Sequence, residues 1–352
     1  MEKEKKEIRE MFDALSGAPT EVLPSKYWIE LNRKNLEQLE EHGYENFKQT
    51  IALNYFTWTM AGPSAPLRYL VRSFPKDRQI RELRKNLSTG IVLGNIFRVL
   101  FFPKKHKFFT WTQSLAYNYF SNLLWDFTQK NDKENLLDSL DEPLEGNPPQ
   151  IYRGKKLISQ DLAHSVLEYY SAIENVKDKK EIKTIIELGA GYGRTAYVFL
   201  KTMPKIRYII VDIPPALWIA QKYLSEQFPE RKIFKFRDWN SFEDIKDEFQ
   251  NADIIFLLSS QLELLPSKCT DIFVNISSLH EMRMDQITYY YKLIDRLTSG
   301  YFYSKQWKVS EIPNENVTIR ESDYPVYKNW EKIYWRECKI QIRFFESLFK
   351  IE

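Results

Sequence analysis

Cysteine is nearly absent from this chain, and two other scarce residue types narrow the possible protein classes further. Only Cys269 and Cys338 occur among 352 residues, which excludes a disulfide framework and a four-cysteine zinc site. Glycine and proline number only 11 and 16, which excludes collagen-like and Pro/Gly-rich low-complexity chains. The sparse cysteines also fit a reducing compartment.

Long hydrophobic runs are missing as well. The longest apolar stretch, residues 91–102, is interrupted by Asn95 and Arg98 and is shorter than the ~20 residues that a membrane span needs. The first ten residues are mostly charged and contain none of the apolar core of a signal peptide. We therefore expect a soluble, cytoplasmic protein.

No excess of charge of either sign marks the whole chain. Lysine and arginine total 51 against 48 acidic residues, a net charge of +3, which argues against a nucleic-acid partner. Between Arg68 and Lys107, however, 11 basic residues meet only two acidic ones. A solvated helix face accounts for such a run. The alternative is a site for an anionic partner, such as a phosphorylated or nucleotide-linked glycan or an anionic membrane surface. Nothing in the sequence indicates an oligomeric state.

Aromatic residues, in contrast, are abundant. The 23 Phe, 21 Tyr and 9 Trp make up 15% of the chain. Core packing is the ordinary use of so many rings, but they also suit a protein that stacks against ring-shaped ligands. Trp111, Tyr117, Tyr119 and Trp125 follow the basic run, where they either stack on the C–H faces of a sugar or fill a helix core.

The chain changes character at residues 141–150, where three prolines and a glycine occur within ten residues. Before this stretch the apolar spacing is helical, as in Tyr27–Tyr44 and Trp111–Phe127. After it, short β-rich apolar runs alternate with helical segments, which predicts βαβ units around a parallel sheet. We therefore predict a helical lid domain over residues 1–140, a connector over 141–160 and an α/β domain over 161–352, with the lid over the carboxyl edge of the sheet.

The C-terminal part predicts an α/β fold with an open, mostly parallel, doubly wound sheet. Strands are predicted at 183–188, 207–213, 233–236, 253–258, 271–276 and 301–307, and helices at 161–175, 194–203, 214–227 and 285–298. The alternation of residues 333–345 predicts a hairpin that closes one edge of the sheet.

A glycine-rich turn is the strongest chemical signal in the sequence. Glu187, Gly189, Ala190, Gly191 and Gly193 lie in the run Glu-Leu-Gly-Ala-Gly-Tyr-Gly, directly between a predicted strand and a predicted helix. Glycines let this backbone turn tightly and approach a ligand, and the helix N-terminus supplies free N–H groups. A turn without any ligand is the alternative.

An acidic residue ends the next strand, where a nucleoside cofactor places its ribose. Asp212, followed by Ile213, lies 19 residues after Gly193 and can accept hydrogen bonds from both ribose hydroxyls. S-adenosylmethionine (SAM) and NAD both carry this ribose, but Arg194 stands where dinucleotide folds need their third glycine. The pattern Glu-x-Gly-x-Gly-x-Gly instead resembles the first motif of class I SAM-dependent methyltransferases. A helix cap is the alternative role for Asp212.

The region after the third predicted strand resembles the same class. Residues 259–266 lead through a Leu-Pro step to the strand at 271–276, which is followed by a small-residue turn with a Leu-His step. The resemblance implies that Ser260 and Gln261 lie beside the adenine, where a hydroxyl and an amide can pair with its edge. Asp238 is the rival adenine contact.

Longer segments carry a more specific resemblance. Val211–Leu217, Gln261–Pro266 and Asn275–Met282, with the lead-in segments 146–148 and 158–165, are similar to the bacterial sugar O-methyltransferase family. The resemblance covers about residues 140–310. It implies a class I methyltransferase fold with an N-terminal helical domain and SAM as the cofactor. It also implies O-methylation of a sugar hydroxyl in surface-glycan or glycoside biosynthesis.

His280 and Glu281 are the predicted catalytic residues. They follow a strand that ends near the switch point of the sheet, where parallel sheets bind ligands. A sugar hydroxyl is a poor nucleophile at pH 7, and an imidazole with its ordinary pKa of ~6.5 suits a general base. The alternative for His280 is a structural bond to backbone. Glu281 either orients His280, binds a sugar hydroxyl or acts as the base itself.

No metal is expected, because the region after the glycine motif has no Asp-Asp pair and no spaced histidine ligands. Three functions compete with sugar methylation. The first is methylation of a non-sugar acceptor, either RNA or a small metabolite. The second is a non-catalytic SAM-binding module, although the intact glycines and Asp212 argue against it. The third is an NAD(P) oxidoreductase, which Arg194 disfavours.

Overall fold

The computed structural model describes residues 2–55, 87–101, 105–312 and 317–352. The chain divides into two compact units. The sheet unit comprises Met1–Glu37, Ser171–Cys338 and Arg343–Glu352, and the helical unit comprises Gln38–Tyr170 and Lys339–Ile342. The predicted segments 1–140, 141–160 and 161–352 stay a prediction about domains, because compact packing does not establish which segments fold independently.

Helices and strands alternate through the second half of the chain, as predicted. The described helices are α1 (Glu2–Ser16), α2 (Lys26–His42), α3 (Ala52–Tyr55), α4 (Thr89–Phe101), α5 (Trp111–Asn131), α6 (Leu136–Ser139), α7 (Gln160–Ile173), α8 (Arg194–Thr202), α9 (Ala216–Gln227), α10 (Lys246–Asn251) and α11 (Met284–Leu297). The described strands are β1 (Ile151–Arg153), β2 (Lys156–Ile158), β3 (Thr184–Leu188), β4 (Arg207–Asp212), β5 (Ile233–Phe234), β6 (Ile254–Leu258), β7 (Thr270–Ile276), β8 (Thr298–Trp307), β9 (Val309–Ile312), β10 (Val317–Arg320), β11 (Glu331–Glu337) and β12 (Phe344–Lys350).

An eight-stranded sheet forms the centre of the sheet unit, in the order β11-β12-β8-β7-β3-β4-β6-β5. The strands from β8 to β5 pair in parallel, whereas β12 pairs antiparallel with β8 and with β11. The chain moves outward from β3 through β4 to β5 and β6, then returns to β7 on the other side of β3. This reversal puts the switch point at the carboxyl ends of β3 and β7, and it confirms the predicted doubly wound α/β fold.

Burial explains why the central strands read as nearly unbroken apolar runs. Every residue of β3 and β6 is buried, as are all residues of β4 except Arg207. Glu187 of β3 is an acidic residue within such a strand, and it lies in register with Ile210 of β4 and Val274 of β7. A carboxylate at this central position needs a specific polar partner, which is described with the site below.

The C-terminal hairpin is longer than the predicted 333–345, because it begins at Glu331 and ends at Lys350. β11 and β12 pair antiparallel, with Trp335 opposite Ser347. Residues 338–343 form the connection between them, and Ile340 in this connection is buried. Apolar and polar residues continue to alternate through the connection, so the pattern alone does not show where the first strand ends.

The N-terminal helical region is present, and α5 is its longest described helix. Of the 21 residues of α5, 13 are buried, among them Tyr117, Tyr119 and Trp125. These rings therefore belong to the helix core, whereas Trp111 is 56% exposed. A capping box starts the helix, because Thr110 and Gln113 bond to each other's backbone N–H groups.

The basic run Arg68–Lys107 lies mostly outside the described residues. Of its cationic side chains only Arg98, Lys105 and Lys107 are described, and Arg98 is half-buried on α4. In the described parts of the chain, no helix combines the length and the apolar character needed to cross a membrane.

Candidate active site

The glycine-rich turn links β3 to α8, and its glycines have positive φ angles of 74° at Gly189, 60° at Gly191 and 86° at Gly193. Two of these glycines are also required by packing. A Cβ at Gly189 would lie 2.3 Å from Ser278 Oγ, and a Cβ at Gly193 would lie 2.7 Å from Leu224 Cδ1. A Cβ at Gly191 would meet nothing within 4 Å. The turn therefore packs tightly at both ends and presents open backbone in the middle, which suits a ligand cradle.

Asp212 ends β4 and faces the same turn. Its Oδ2 accepts a hydrogen bond from Gly191 N at 2.7 Å, and its Oδ1 accepts one from Ile213 N at 2.7 Å. The side chain does not cap α9, which begins at Ala216 after a cis Pro214–Pro215 bond. Burial raises the pKa of Asp212 to about 7, although the two backbone hydrogen bonds oppose this shift.

Glu187 lies at the penultimate position of β3 and is buried. Its Oε2 accepts a hydrogen bond from Tyr208 Oη at 2.9 Å, so β4 supplies the polar partner that this strand position requires. Ala190 is buried inside the glycine turn, and Ile213 is half-buried after β4. The contacts of Glu187, Ala190 and Ile213 with the cofactor stay predictions.

The loop after β6 holds the predicted adenine contacts. Gln261 Oε1 accepts a hydrogen bond from Leu258 N at 3.0 Å, and Gln261 Nε2 donates one to Arg237 O at 2.9 Å. The amide thus ties the loop after β6 to the segment after β5. Ser260 is half-buried and Asp238 is exposed. Adenine contacts by these residues stay predictions.

The residues at the ends of β3 and β4 fit SAM. Gly191 leaves open space beside its backbone, and Asp212 keeps further lone pairs that can accept hydrogen bonds from ribose hydroxyls. Both lie at the carboxyl edge of the sheet next to the switch point, where such sheets bind nucleotides. When bound, SAM supplies an electrophilic methyl group together with its own leaving group.

His280 lies in a 3-10 helix, Leu279–Glu281, that follows β7. Its ring is buried, stacks on Trp307 at a centroid distance of 5.3 Å and meets Phe344 edge-on at 5.9 Å. Its Nδ1 lies 3.0 Å from Gln306 Oε1. Burial lowers the pKa of His280 to about 4, against a smaller opposing effect of Gln306. The ordinary pKa of ~6.5 that the sequence suggests is therefore wrong for this imidazole, which is neutral at pH 7.

Glu281 lies beside His280, with Oε1 3.7 Å from His280 Nε2. Its side chain is 20% exposed and makes no hydrogen bond with any residue that the structure describes. Burial raises the pKa of Glu281 to about 8. At pH 7 the arrangement is therefore a neutral imidazole next to a protonated carboxyl group.

The chain that enters α2 packs against the turn that carries Glu281. Ser25 Oγ donates a hydrogen bond to Glu281 O at 3.4 Å, and Gln286 Nε2 donates one to Leu23 O at 2.9 Å. Tyr27 follows Ser25 by two residues, in the first turn of α2. Burial, with a smaller effect of the Glu281 charge, raises the pKa of Tyr27 to about 12.

Three residues of this region are not predicted from the sequence: Tyr27, Gln306 and Tyr324. The Tyr324 hydroxyl is buried without a hydrogen-bond partner among the described residues. Burial raises the pKa of Tyr324, and Tyr291 and the charges of Asp323 and Glu281 add to this effect. No local motif surrounds any of the three, and only the general excess of aromatic residues hints at the two tyrosines.

Metal and thiol chemistry find no support at the described positions. No group of three or more His, Cys, Asp or Glu side chains in the described ranges is placed to hold a metal ion. Cys269 and Cys338 are free thiols, and burial raises the pKa of Cys269 to about 11. That thiol is therefore protonated at pH 7 and is a poor nucleophile.

A family comparison matches residues 153–279 to the O-methyltransferase domain. The matched stretch contains the glycine turn and Asp212, and it ends one residue before His280. The match names no acceptor, so the resemblance to sugar O-methyltransferases stays a prediction. None of the curated proteins compared with the chain matches it.

Solved structures with a similar chain path have low identity. A protein from Pyrococcus horikoshii is 13% identical, with a TM-score of 0.36, and the alignment covers 53% of this chain and 91% of that one. A SAM-dependent methyltransferase from Aquifex aeolicus is 15% identical, with a TM-score of 0.30 and coverages of 53% and 95%. The mitomycin 7-O-methyltransferase MmcR is 12% identical, with a TM-score of 0.37 and coverages of 83% and 74%. Similarities of this size carry no argument about the acceptor.

The family match and the site geometry agree on the cofactor side. The matched residues supply the glycine turn with its open backbone at Gly191 and the carboxylate of Asp212 beside it. Residues 153–279 match the O-methyltransferase domain, and the protein is a SAM-dependent methyltransferase.

Proposed function

We propose that the protein transfers a methyl group from SAM to a sugar hydroxyl, with His280 as the general base. One observation carries this proposal: the Glu281 carboxyl group and His280 Nε2 lie 3.7 Å apart, and neither has a hydrogen-bond partner among the described residues. Besides burial, the Glu281 charge raises the pKa of Tyr27 and that of Tyr324, whose buried hydroxyl also lacks such a partner. A sugar presents several neighbouring hydroxyls that each donate and accept, so it is an acceptor that satisfies such a cluster.

The protonation state of His280 suits the base role. Because its pKa is about 4, the imidazole keeps a free lone pair at pH 7. The acceptor hydroxyl gives its proton to His280 as its oxygen bonds to the methyl carbon and the sulfur–methyl bond breaks. Trp307 and Phe344 exclude water from one side of the imidazole, which keeps competing proton donors away.

Glu281 then sets how strongly His280 attracts the proton. A carboxylate 3.7 Å from Nε2 would stabilise the imidazolium, whereas the protonated carboxyl group present at pH 7 does so less. The pair therefore becomes a better base as the pH rises through about 8, the pKa of Glu281. Below that pH, the protonated Glu281 can donate a hydrogen bond to a second sugar hydroxyl.

We further propose that the acceptor sugar is charged, either phosphorylated or nucleotide-linked. In the helical unit, the guanidinium groups of Arg98 and Arg153 share the side-chain oxygen of Asn122, beside a cavity of about 100 Å³. Asp126 pairs with Arg153 at 2.8 Å, and no described carboxylate lies within ion-pair distance of Arg98. Burial and the like charge of Arg153 lower the pKa of Arg98. Arg98 and Arg153, with Asp126 as the one acidic partner among the described residues, leave a net positive charge that favours an anionic group.

Mass spectrometry of the purified protein with SAM and a panel of acceptors tests the proposal. The panel contains free sugars, sugar phosphates, nucleotide-linked sugars, a phenolic metabolite and a short RNA. We expect one added methyl on a sugar hydroxyl, with a charged sugar preferred over its neutral counterpart. Methylation of only the phenol or the RNA would contradict the sugar proposal.

The same assay on His280→Ala and Glu281→Gln separates the roles of the two residues. A matched control is His106→Ala, because His106 is also buried and bonded to an amide oxygen, at 2.7 Å from Asn118 Oδ1. Loss of transfer in His280→Ala but not in His106→Ala supports the base role. Full transfer by His280→Ala would remove His280 from the chemistry.

A further inference from the structure

We infer that Gln306 is a positioning residue, which holds His280 in one tautomer and ties it to the glycine turn. The inference rests on the proposed function, since it concerns the base of that reaction. Gln306 is fully buried on β8, next to β7, and His280 follows the end of β7. Its amide contacts the catalytic imidazole but is too deeply buried to reach a substrate.

The orientation of the Gln306 amide is fixed by its other contacts. Nε2 donates hydrogen bonds to Asn275 Oδ1 at 2.6 Å, to Asn275 O at 3.2 Å and to Ser304 Oγ at 3.2 Å. Carbonyl oxygens accept hydrogen bonds and cannot donate them. The NH2 group must therefore face Asn275, and Oε1 must face His280.

This orientation selects the tautomer of His280. Oε1 lies 3.2 Å from the backbone N and 3.0 Å from Nδ1 of His280, and it can only accept. Trp307 N also points at Nδ1, at 3.5 Å, and would prefer Nδ1 without a proton. The contact with Gln306 decides the tautomer, because Oε1 and an Nδ1 without a proton would be two acceptors 3.0 Å apart and would repel each other. Nδ1 therefore carries the proton, and the lone pair is on Nε2, on the side of Glu281.

The same hydrogen bonds continue to the cofactor side. Asn275 Nδ2 donates to Leu188 O at 2.9 Å and to Ser278 Oγ at 2.8 Å. Leu188 is the last residue of β3, and the Ser278 side chain fills the space where a Cβ at Gly189 would lie. An unbroken buried chain of hydrogen bonds thus runs from the imidazole to the glycine turn. It fixes the base relative to the turn that binds the methyl donor, which methyl transfer requires.

An amide differs from a carboxylate at this position because it orients the ring without stabilising the imidazolium. Four titratable groups face this region: Glu281 beside Nε2, Lys305 of β8 over the Phe344 ring at 5.7 Å, and Tyr27 and Tyr324 near Glu281. The side-chain partner of Nδ1 among the described residues is Gln306. A carboxylate in place of the amide would therefore change the charge at this nitrogen directly.

Nitrogen-15 NMR of histidine-labelled protein tests the inference without any assay of activity, with the His280 signal assigned from His280→Gln. In the unmodified protein we expect the Nδ1–H tautomer and a pKa well below 6.5. Gln306→Glu should raise the pKa of His280 by about 1–3 pH units, because a carboxylate then pairs with the imidazolium. Gln221→Glu is the matched control, since it places a carboxylate at another buried amide, bonded to Phe236 N, and should leave the His280 signal unmoved.

Two results would overturn the inference: an Nε2–H tautomer in the unmodified protein, or equal His280 pKa values in Gln306→Glu and Gln221→Glu. If Gln306→Glu fails to fold, Gln306→Met should give a mixture of tautomers, and a single unchanged tautomer there would contradict the inference.

Kinetics separate this question from the proposed function. If the NMR results appear as expected but His280→Ala retains full turnover, Gln306 positions a histidine that is not the base. If His280 is the base, the acid limb of the pH–rate profile should shift with its pKa in Gln306→Glu.

Discussion

The two sides of the proposed active site differ in the groups that form them: mainly backbone on the cofactor side and side chains on the acceptor side. At the ends of β3 and β4, the cofactor side is formed by turn backbone, with one carboxylate bonded to Gly191 N. At the end of β7, the proposed acceptor side consists of the side chains of His280 and Glu281, with Tyr27 and Tyr324 from other segments and Gln306 behind the imidazole. A turn that needs glycines at fixed positions is visible as a local pattern in the sequence. Side chains that come together only when the chain folds are not visible as any local pattern. The cofactor of such an enzyme is therefore easier to read from sequence than its acceptor.

The largest expected effect tests whether the two sides are separable. His280→Ala should lower kcat by ~100–10,000-fold and leave the affinity for SAM nearly unchanged, because it removes a base and no cofactor contact. Steady-state kinetics and calorimetry measure the two quantities, with His106→Ala as the control for loss of a buried imidazole. A parallel loss of SAM affinity would show that the two sides are one coupled structure.

Asp212→Ala should affect the opposite side. We expect SAM binding to weaken by ~1.5–3 kcal/mol, since hydrogen bonds to a charged acceptor are lost. Calorimetry also tests the charge: binding should strengthen as the pH rises through about 7, where Asp212 ionises, and Asp212→Asn should abolish this dependence. Equal affinity of Asp212→Ala and the unmodified protein would remove Asp212 from the cofactor site.

Glu281→Gln sharpens the account of the acceptor side. In the unmodified protein kcat should rise as the pH increases through about 8, because the newly ionised Glu281 stabilises the imidazolium of His280. The rise should be roughly 3–10-fold, and Glu281→Gln should show a flat profile over the same range. A variant that keeps the rise would assign it to another group.

Tyr324→Phe tests the acceptor contacts by removing one buried hydroxyl. The KM for the acceptor should increase by a few-fold, which corresponds to about 1 kcal/mol for one hydrogen bond, and the affinity for SAM should stay constant. The fold should not suffer, because this hydroxyl has no partner among the described residues. An unchanged KM would place the acceptor away from Tyr324.

The smallest expected effect concerns stability. The folded-state pKa of Glu281 is raised from 4.5 to about 8, so the folded protein holds this proton more tightly than the unfolded chain. Its stabilising effect is complete below pH 4.5 and is lost as the pH rises through about 8. Glu281→Gln should therefore be more stable than the unmodified protein at pH 9, by ~1–3 kcal/mol, and similar to it at pH 5. Urea unfolding at both pH values measures this, and a constant difference would contradict the raised pKa.

Local patterns predict most of the fold and the cofactor side. The run from Glu187 to Gly193 and the acidic end of β4 were sufficient to indicate SAM. The glycine run is recognisable because its turn needs backbone freedom, and the acidic residue is recognisable because it has a fixed place at the end of a strand. The edge hairpin was predicted too short, and its turn could not be located because alternation continues through residues 338–343. The pKa of His280 could not be predicted, because Trp307 and Phe344 bury it from β8 and β12. Tyr27 and Tyr324 approach Glu281 from distant parts of the chain, and no short-range pattern records such an approach.

The hydrogen bond between Ser25 and Glu281 joins residues 256 positions apart, which has a consequence for the order of folding during synthesis. At ~5–20 residues per second, Ser25 is made roughly 13–50 s before its partner exists. During this interval α1 lacks its final neighbours, although Ile8, Met11 and Leu15 are buried in the folded protein. The helical unit, which is continuous except for Lys339–Ile342, can form most of its contacts in the same interval. The nascent chain therefore carries the small apolar face of this otherwise charged helix unprotected until α9, whose Trp218 and Lys222 bond to Glu7 and Glu4, is translated, which makes the face a natural contact for a chaperone.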